Sequence, residues 1–114
     1  MSIFSTEKDS DIAVEEKEAI KEPSQYNVVV HNNDYTSYEE VILILSQAFQ
    51  MSHDNALMIA RHVDTKGQGI CGTYSKEVAE MKIIIVDMVK QKLIQLMPMR
   101  SNEIHMLKFT VEKA

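Results

Sequence analysis

From Tyr26 onward the apolar and polar positions change period several times, and each change marks an element. Tyr26-Asn27-Val28-Val29-Val30-His31 is short, β-branched and aromatic, and it runs into Asn32-Asn33-Asp34, residue types that favour turns. A strand followed by a turn is predicted there. Thr36-Ser37-Tyr38-Glu39 fits a capping box, with the Thr36 hydroxyl on the Glu39 amide and the Glu39 carboxylate reaching back. Behind it Val41, Ile44, Leu45, Ala48 and Phe49 recur at i, i+3, i+4, i+7 and i+8, the spacing of a helix with one apolar face. Ser52 can cap a second helix, in which Ala56, Ile59, Ala60 and Val63 keep that spacing and Gly67 can close the end with positive φ. Gly69-Ile70-Cys71-Gly72-Thr73-Tyr74 reads as a second strand whose glycines mark tight or bulged backbone. Ser75 caps a third helix that carries Val78, Lys82, Ile85, Val86, Val89, Leu93 and Leu96 along one side and stops near Pro98. After a loop at Arg100-Ser101-Asn102-Glu103, Met106-Leu107-Lys108-Phe109-Thr110-Val111 alternates enough to be a last strand. The order βααβαβ predicts a small α+β domain, a three-stranded antiparallel sheet packed on three helices.

Charge adds a boundary to this picture. The chain has 114 residues and a formal net charge of −5, a length that suits one domain with one modest core. Residues 1–24 hold seven acids and three lysines, so most of the excess negative charge sits in the first fifth of the chain. That segment is poor in large apolar residues and cannot offset its ordering entropy by burial. It is expected to be a mobile acidic arm, with the folded domain at residues 25–114. The acidic balance argues against nucleic-acid binding. No apolar run is long enough to span a bilayer, no basic segment leads into an apolar one at the N-terminus, and Cys71 is the only cysteine. A cytoplasmic protein without membrane contact is expected.

Most candidates for chemistry fail on spacing. The four histidines (His31, His53, His62, His105) include no pair at i, i+4, so no helical metal site is expected. Cys71 lies inside an apolar strand, where an inert buried thiol is the expectation and a nucleophile the alternative. Gly67-Gln68-Gly69 is too short for a dinucleotide loop. Neither metal nor cofactor is expected. What remains is Asn32-Asn33-Asp34-Tyr35-Thr36, where several polar side chains meet the free backbone donors of a helix start.

These residues carry a resemblance. The string from Tyr26 through Asn32-Asn33-Asp34-Tyr35-Thr36, then Val63 and Gly67 ahead of Ile70-Cys71-Gly72, then Glu77-Val78-Ala79-Glu80 with Lys82, and finally Glu112-Lys113-Ala114, resembles the ClpS adaptor family over about residues 26–114. The resemblance implies the same βααβαβ plan and no enzymatic activity. It implies an adaptor that recognises bacterial N-degrons, chiefly N-terminal Leu, Phe, Tyr or Trp. Such an adaptor delivers its substrates to the N-domain of an AAA+ unfoldase, ClpA or ClpC, for degradation by ClpP. By the same resemblance Asn32 and the position of Asp64 meet the substrate α-amino group, and Asn33, Asp34 and Thr36 shape the rim and hold the peptide backbone. Tyr38, Val41, Ala60, Val63 and Leu107 wall the pocket for the first side chain. Glu77 and Lys82 contact the unfoldase, the acidic arm serves handover, and the protein works as a monomer.

Physics suits such a site. Hydrogen bonds to an ammonium contribute about 1.5–3 kcal/mol each, and burying one Leu or Phe side chain contributes about 1.5–3 kcal/mol. Less the cost of association, a few such terms approach the roughly −8 kcal/mol of micromolar binding. The chain also departs from the family pattern. Asp64 stands where the family has its amine-binding His, and His62 lies about 200° away around the helix. Asn33 stands for an Asp, Ala60 for a larger residue, Tyr38 for a Met-like wall, and Ser37 for a proline; extra residues fall around Gln91–Ile104. Three readings stay open: an N-degron adaptor of altered preference, a regulator that docks on the unfoldase without binding degrons, and an enzyme using Cys71.

Overall fold

The computed structural model describes residues 24–114, so all of the acidic arm but Ser24 lies outside the described residues. The chain runs β1 (Gln25–His31), α1 (Tyr38–Ala48), α2 (His53–Lys66), β2 (Gln68–Ser75), α3 (Lys76–Leu96), a 3₁₀ turn (Pro98–Arg100), α4 (Ser101–Met106) and β3 (Lys108–Lys113). The sheet is antiparallel with β1 in the centre, in the order β2-β1-β3. Val28, Val29 and Val30 make the middle of β1 apolar on both sides, as a central strand requires, and all three are buried. Val28 and Val30 join Ile44 and Leu45 of α1, Val86 and Leu93 of α3, Ile104 of α4 and Leu107 in one core. The α+β class and the three-stranded sheet are as the pattern predicts.

Three details differ. The cap of α1 is one residue later than expected. Ser37 is extended at φ −77° and ψ 162° and accepts from the Glu40 amide, while the Glu40 carboxylate accepts from the Ser37 amide at 3.0 Å. The Thr36 hydroxyl is directed elsewhere, donating to the Glu103 carbonyl at 2.7 Å. The expected loop at 100–103 is instead a 3₁₀ turn leading into a fourth helix, and β3 starts at Lys108 rather than Met106.

A six-residue helix does not hold by local propensity, so α4 must be held from outside. Its last four carbonyls all have partners. Glu103 O accepts from Thr36, Ile104 O from the Leu107 amide at 3.3 Å, His105 O from Lys90 Nζ at 3.2 Å, and Met106 O from Asn33 Nδ2 at 3.3 Å. Lys90 also donates to Leu107 O at 2.7 Å, and its partial burial pulls the ammonium below the usual lysine range. Ile104 is fully buried beneath the helix. At the other end Arg100 donates to Glu40 Oε2 at 2.8 Å. Glu40 is only 1% exposed. Burial pushes its carboxyl up, but the bonds from Arg100 and Ser37 outweigh burial and leave it below the usual range. The segment that the sequence marks as extra is therefore tied to both the β1–α1 loop and α1.

Two outcomes are expected. Arg100→Ala leaves a buried carboxylate without its cation and should destabilise by about 2 kcal/mol, the Ser37 bonds softening the loss. Because the folded Glu40 titrates below its unfolded value near 4.5, this contribution is complete above that pH and vanishes as pH falls through the folded value. Denaturant unfolding of wild type and Arg100→Ala at pH 7 and pH 3 checks it: the gap should close in acid. Asn33→Asp keeps the acceptor for the loop amides but cannot donate to Met106 O, and should cost about 1 kcal/mol. An unchanged melting temperature would show that the α4 contact contributes nothing.

Candidate functional site

The loop between β1 and α1 is built on one side chain. Asn33 Oδ1 accepts from the amides of Tyr35 at 2.8 Å and Thr36 at 2.9 Å, an Asx-type turn that frees the loop from any helix or strand ladder. Asn33 and Thr36 are half-buried, whereas Asn32 and Asp34 point to solvent. The Asn32 amide donates to Gly67 O at 2.9 Å. Gly67 closes α2 in the left-handed region at φ 92°, its amide on Val63 O, a conformation that suits glycine. That one backbone bond brings Asn32 to the C-terminal turn of α2, three residues beyond Asp64.

Asp64 is exposed on that last turn, where the helix dipole disfavours an anion. Tyr38, the first residue of α1, donates its hydroxyl to Asp64 Oδ2 at 2.9 Å. The bond to the carboxylate holds the Tyr38 phenol above its usual range. Of the expected pocket residues, Val41, Ala60, Val63 and Leu107 are each at most 6% exposed and belong to the one core cluster. Gly69 lets β2 approach α2 closely, since a Cβ there would sit 2.8 Å from Val63 Cγ2. Tyr38 is 39% exposed and spans from α1 to α2 over the region. His62 faces elsewhere, lining an open groove of about 390 Å³ with Met58, Ile59, Gly69 and Ile70.

The two residues expected at a docking face differ from each other. Glu77 is exposed in the first turn of α3. Lys82 is no freely solvated charge: it is half-buried, with Nζ 5.8 Å from the Phe49 ring centroid and 5.7 Å from that of Tyr74. Cys71 is buried and its thiol is pushed up to about 12 by burial, a main-chain bond from Val30 only partly offsetting this. Almost no thiolate exists there at neutral pH, so the nucleophile reading of Cys71 has no support. Among the described residues no group of three or more His, Cys, Asp or Glu is placed to hold a metal ion, and no helix is long and apolar enough to cross a membrane. Sequence reasoning missed the residues that support the loop, Glu103, Met106 and Arg100. Main-chain acceptors leave no trace in side-chain patterning, and Arg100 lies too far from Glu40 in sequence to be paired by spacing.

Comparison with known proteins agrees with this geometry. A family model described as ATP-dependent Clp protease adaptor protein ClpS matches residues 21–102, ending within α4. The ATP-dependent Clp protease adapter protein ClpS of Vibrio cholerae serotype O1 is 41% identical over 106 residues, covering 93% of this chain and 91% of that one. The protein of the same name from Oleidesulfovibrio alaskensis is 43% identical over 83 residues, 73% of this chain and 78% of that one. Among solved structures, Agrobacterium tumefaciens ClpS2 bound to L-phenylalaninamide superposes with a TM-score of 0.61 at 25% identity, over 82% of this chain and all of that one. The chain therefore belongs to the ClpS family, the adaptors of the ATP-dependent Clp protease.

Proposed function

We propose that this chain is an N-degron adaptor, a non-catalytic protein. It binds substrates by a bulky hydrophobic N-terminal residue and delivers them to the N-domain of a ClpA- or ClpC-type unfoldase for degradation by ClpP. What supports the reading is the main-chain bond from Asn32 to Gly67 at the end of α2, beside the Tyr38–Asp64 bond, in a fold whose Val41, Ala60, Val63 and Leu107 share one buried cluster. The bound molecule of the Agrobacterium relative, L-phenylalaninamide, carries a free α-amine beside a benzyl group, the two features such a site reads. On this reading the ammonium bonds to the Asn32 amide oxygen and the Asp64 carboxylate, and charge-assisted bonds of that kind are the strong ones. Asn33, Asp34 and Thr36 hold the peptide backbone, and the first side chain enters between Tyr38, Val41, Ala60, Val63 and Leu107. Exposed Glu77, with Lys82 beside it, meets the unfoldase. No cofactor is needed, and the protein works as a cytoplasmic monomer.

A second reading has one observation in its favour. The apolar walls are closed over and Tyr38 is bonded across them, as in a regulator that occupies the unfoldase without binding degrons. Fluorescence titration with peptides that differ only in their first residue separates the two. The adaptor binds Leu- and Phe-initiated peptides and rejects Ala, whereas the regulator binds none. Because Ala60 is short, the wild type should also tolerate β-branched first residues, and Ala60→Met should narrow the range. Identical rankings for wild type and Ala60→Met would remove Ala60 from the pocket.

The arm supplies a separate expectation. Residues 1–22 combine high charge with few large apolar side chains, a composition suited to a tether fed to the unfoldase. Deleting them should leave peptide affinity unchanged while abolishing accelerated degradation in a reconstituted Clp assay. Normal delivery by the shortened chain would exclude the tether.

A further inference from the structure

The bond between Tyr38 and Asp64 joins two helices at the point where the reading above places the substrate amine, and the inference drawn here rests on that reading. Asp64 sits in the last turn of α2, so the local dipole opposes its charge. Arg61, one turn back, is exposed and makes no ion pair with Asp64 among the described residues. The Tyr38 hydroxyl supplies a donor to Oδ2 at 2.9 Å, which fixes the carboxylate plane and leaves Oδ1 to a ligand. A carboxylate on an exposed helix end otherwise rotates through several rotamers, and ordering it at the moment of binding would weaken the complex. Tyr38 itself is set by its place: it is the first helical residue after the Ser37–Glu40 capping box, and Glu40 is locked to Arg100. The phenol is therefore held at a defined height over α2.

Geometry gives the ring a second task. Ala60 lies four residues before Asp64 on α2, hence on the same face one turn away. Ala60 has a one-carbon side chain and is buried nonetheless. On the inference drawn here, the Tyr38 ring, anchored at Asp64 and rooted in the first turn of α1, lies along that face.

The geometry points to Tyr38 as the positioning residue of the amine site. Its hydroxyl orients Asp64 toward a protonated α-amine, and its ring takes up the volume that Ala60 leaves, so one side chain sets both amine affinity and pocket size. The ligand class is a polypeptide N-terminus with a free, protonated α-amine. Neutral or acetylated termini lose the interaction that Tyr38 prepares.

The test uses the full chain and the same Leu-, Ile-, Phe- and Ala-initiated peptides. Tyr38→Phe keeps the ring and removes the donor. It should weaken binding of every bound peptide by about the same factor, roughly three- to tenfold as for loss of one net hydrogen bond, without reordering them. Tyr38→Met removes ring and donor together and should also reorder them. In an Asp64→Ala background, already weaker than wild type, Tyr38→Phe should change nothing, because the group it positions is gone. A role in fold stability alone would lower the melting temperature of Tyr38→Phe and leave its peptide affinities unchanged. Equal loss in both backgrounds, or no loss in either, overturns the inference while leaving the adaptor reading intact. A wild-type protein that binds none of the peptides overturns both.

Discussion

The fold around the site depends on one buried carboxylate. Glu40 is 1% exposed, and an ionised group so placed is tolerated only when its lone pairs are filled and its charge is met. Both conditions hold. One oxygen closes the capping box at the start of α1, and the other receives Arg100. Each partner draws in a different part of the chain: Ser37 fixes where α1 begins, and Arg100 fixes where the turn after α3 must lie. The pair spans 60 residues of sequence. Whatever net energy it contributes, it sets register, since an arrangement that parts these groups leaves a charge in the core.

From that anchor the polar loop gains its shape. With Arg100 in place, α4 follows immediately and presents its terminal carbonyls to Thr36, Lys90 and Asn33. The loop's own amides turn inward onto Asn33 Oδ1. Asn33 is thus used at both ends, acceptor for the loop and donor to α4. An amide can do both at neutral pH and a carboxylate cannot. This explains why Asn stands here where the family pattern has Asp. Once α4 places a carbonyl beside the position, a carboxylate would face it without a proton to share.

Most of the fold was legible in the sequence because it rests on local periodicity. The apolar spacing of α1 and α2, the serine caps at Ser52 and Ser75, and the left-handed Gly67 are properties of neighbouring residues and stand where the pattern put them. On α3, Val86 and Leu93 are buried as expected, but Val78 and Leu96 are exposed and Ala79 is buried instead. The failures share a cause. The cap is Ser37 rather than Thr36, whose hydroxyl is directed to a carbonyl 67 residues away. The loop expected at 100–103 leads into a helix whose carbonyls are satisfied by three side chains from elsewhere, Thr36 and Asn33 of the β1–α1 loop and Lys90 of α3. Lys82 reads as one more charge on a helix, yet Phe49 and Tyr74 stand beneath it. The contacts of Thr36 with Glu103, Asn33 with Met106 and Lys82 with Phe49 join residues far beyond the reach of any local window. For the candidate site, the resemblance supplied the residue positions. The physical pairing of Tyr38 with Asp64, across 26 residues, came only with the structure.

The departures from the family pattern are better understood as pairs than as single losses. Asn33 goes with Met106 of α4, and Tyr38 goes with Asp64. In each pair one change would be unfavourable alone. An Asp64 without Tyr38 is an anion at the wrong end of a helix dipole with one donor fewer, and a Tyr38 without Asp64 loses the acceptor that fixes its hydroxyl. Made together, each change removes the penalty of the other.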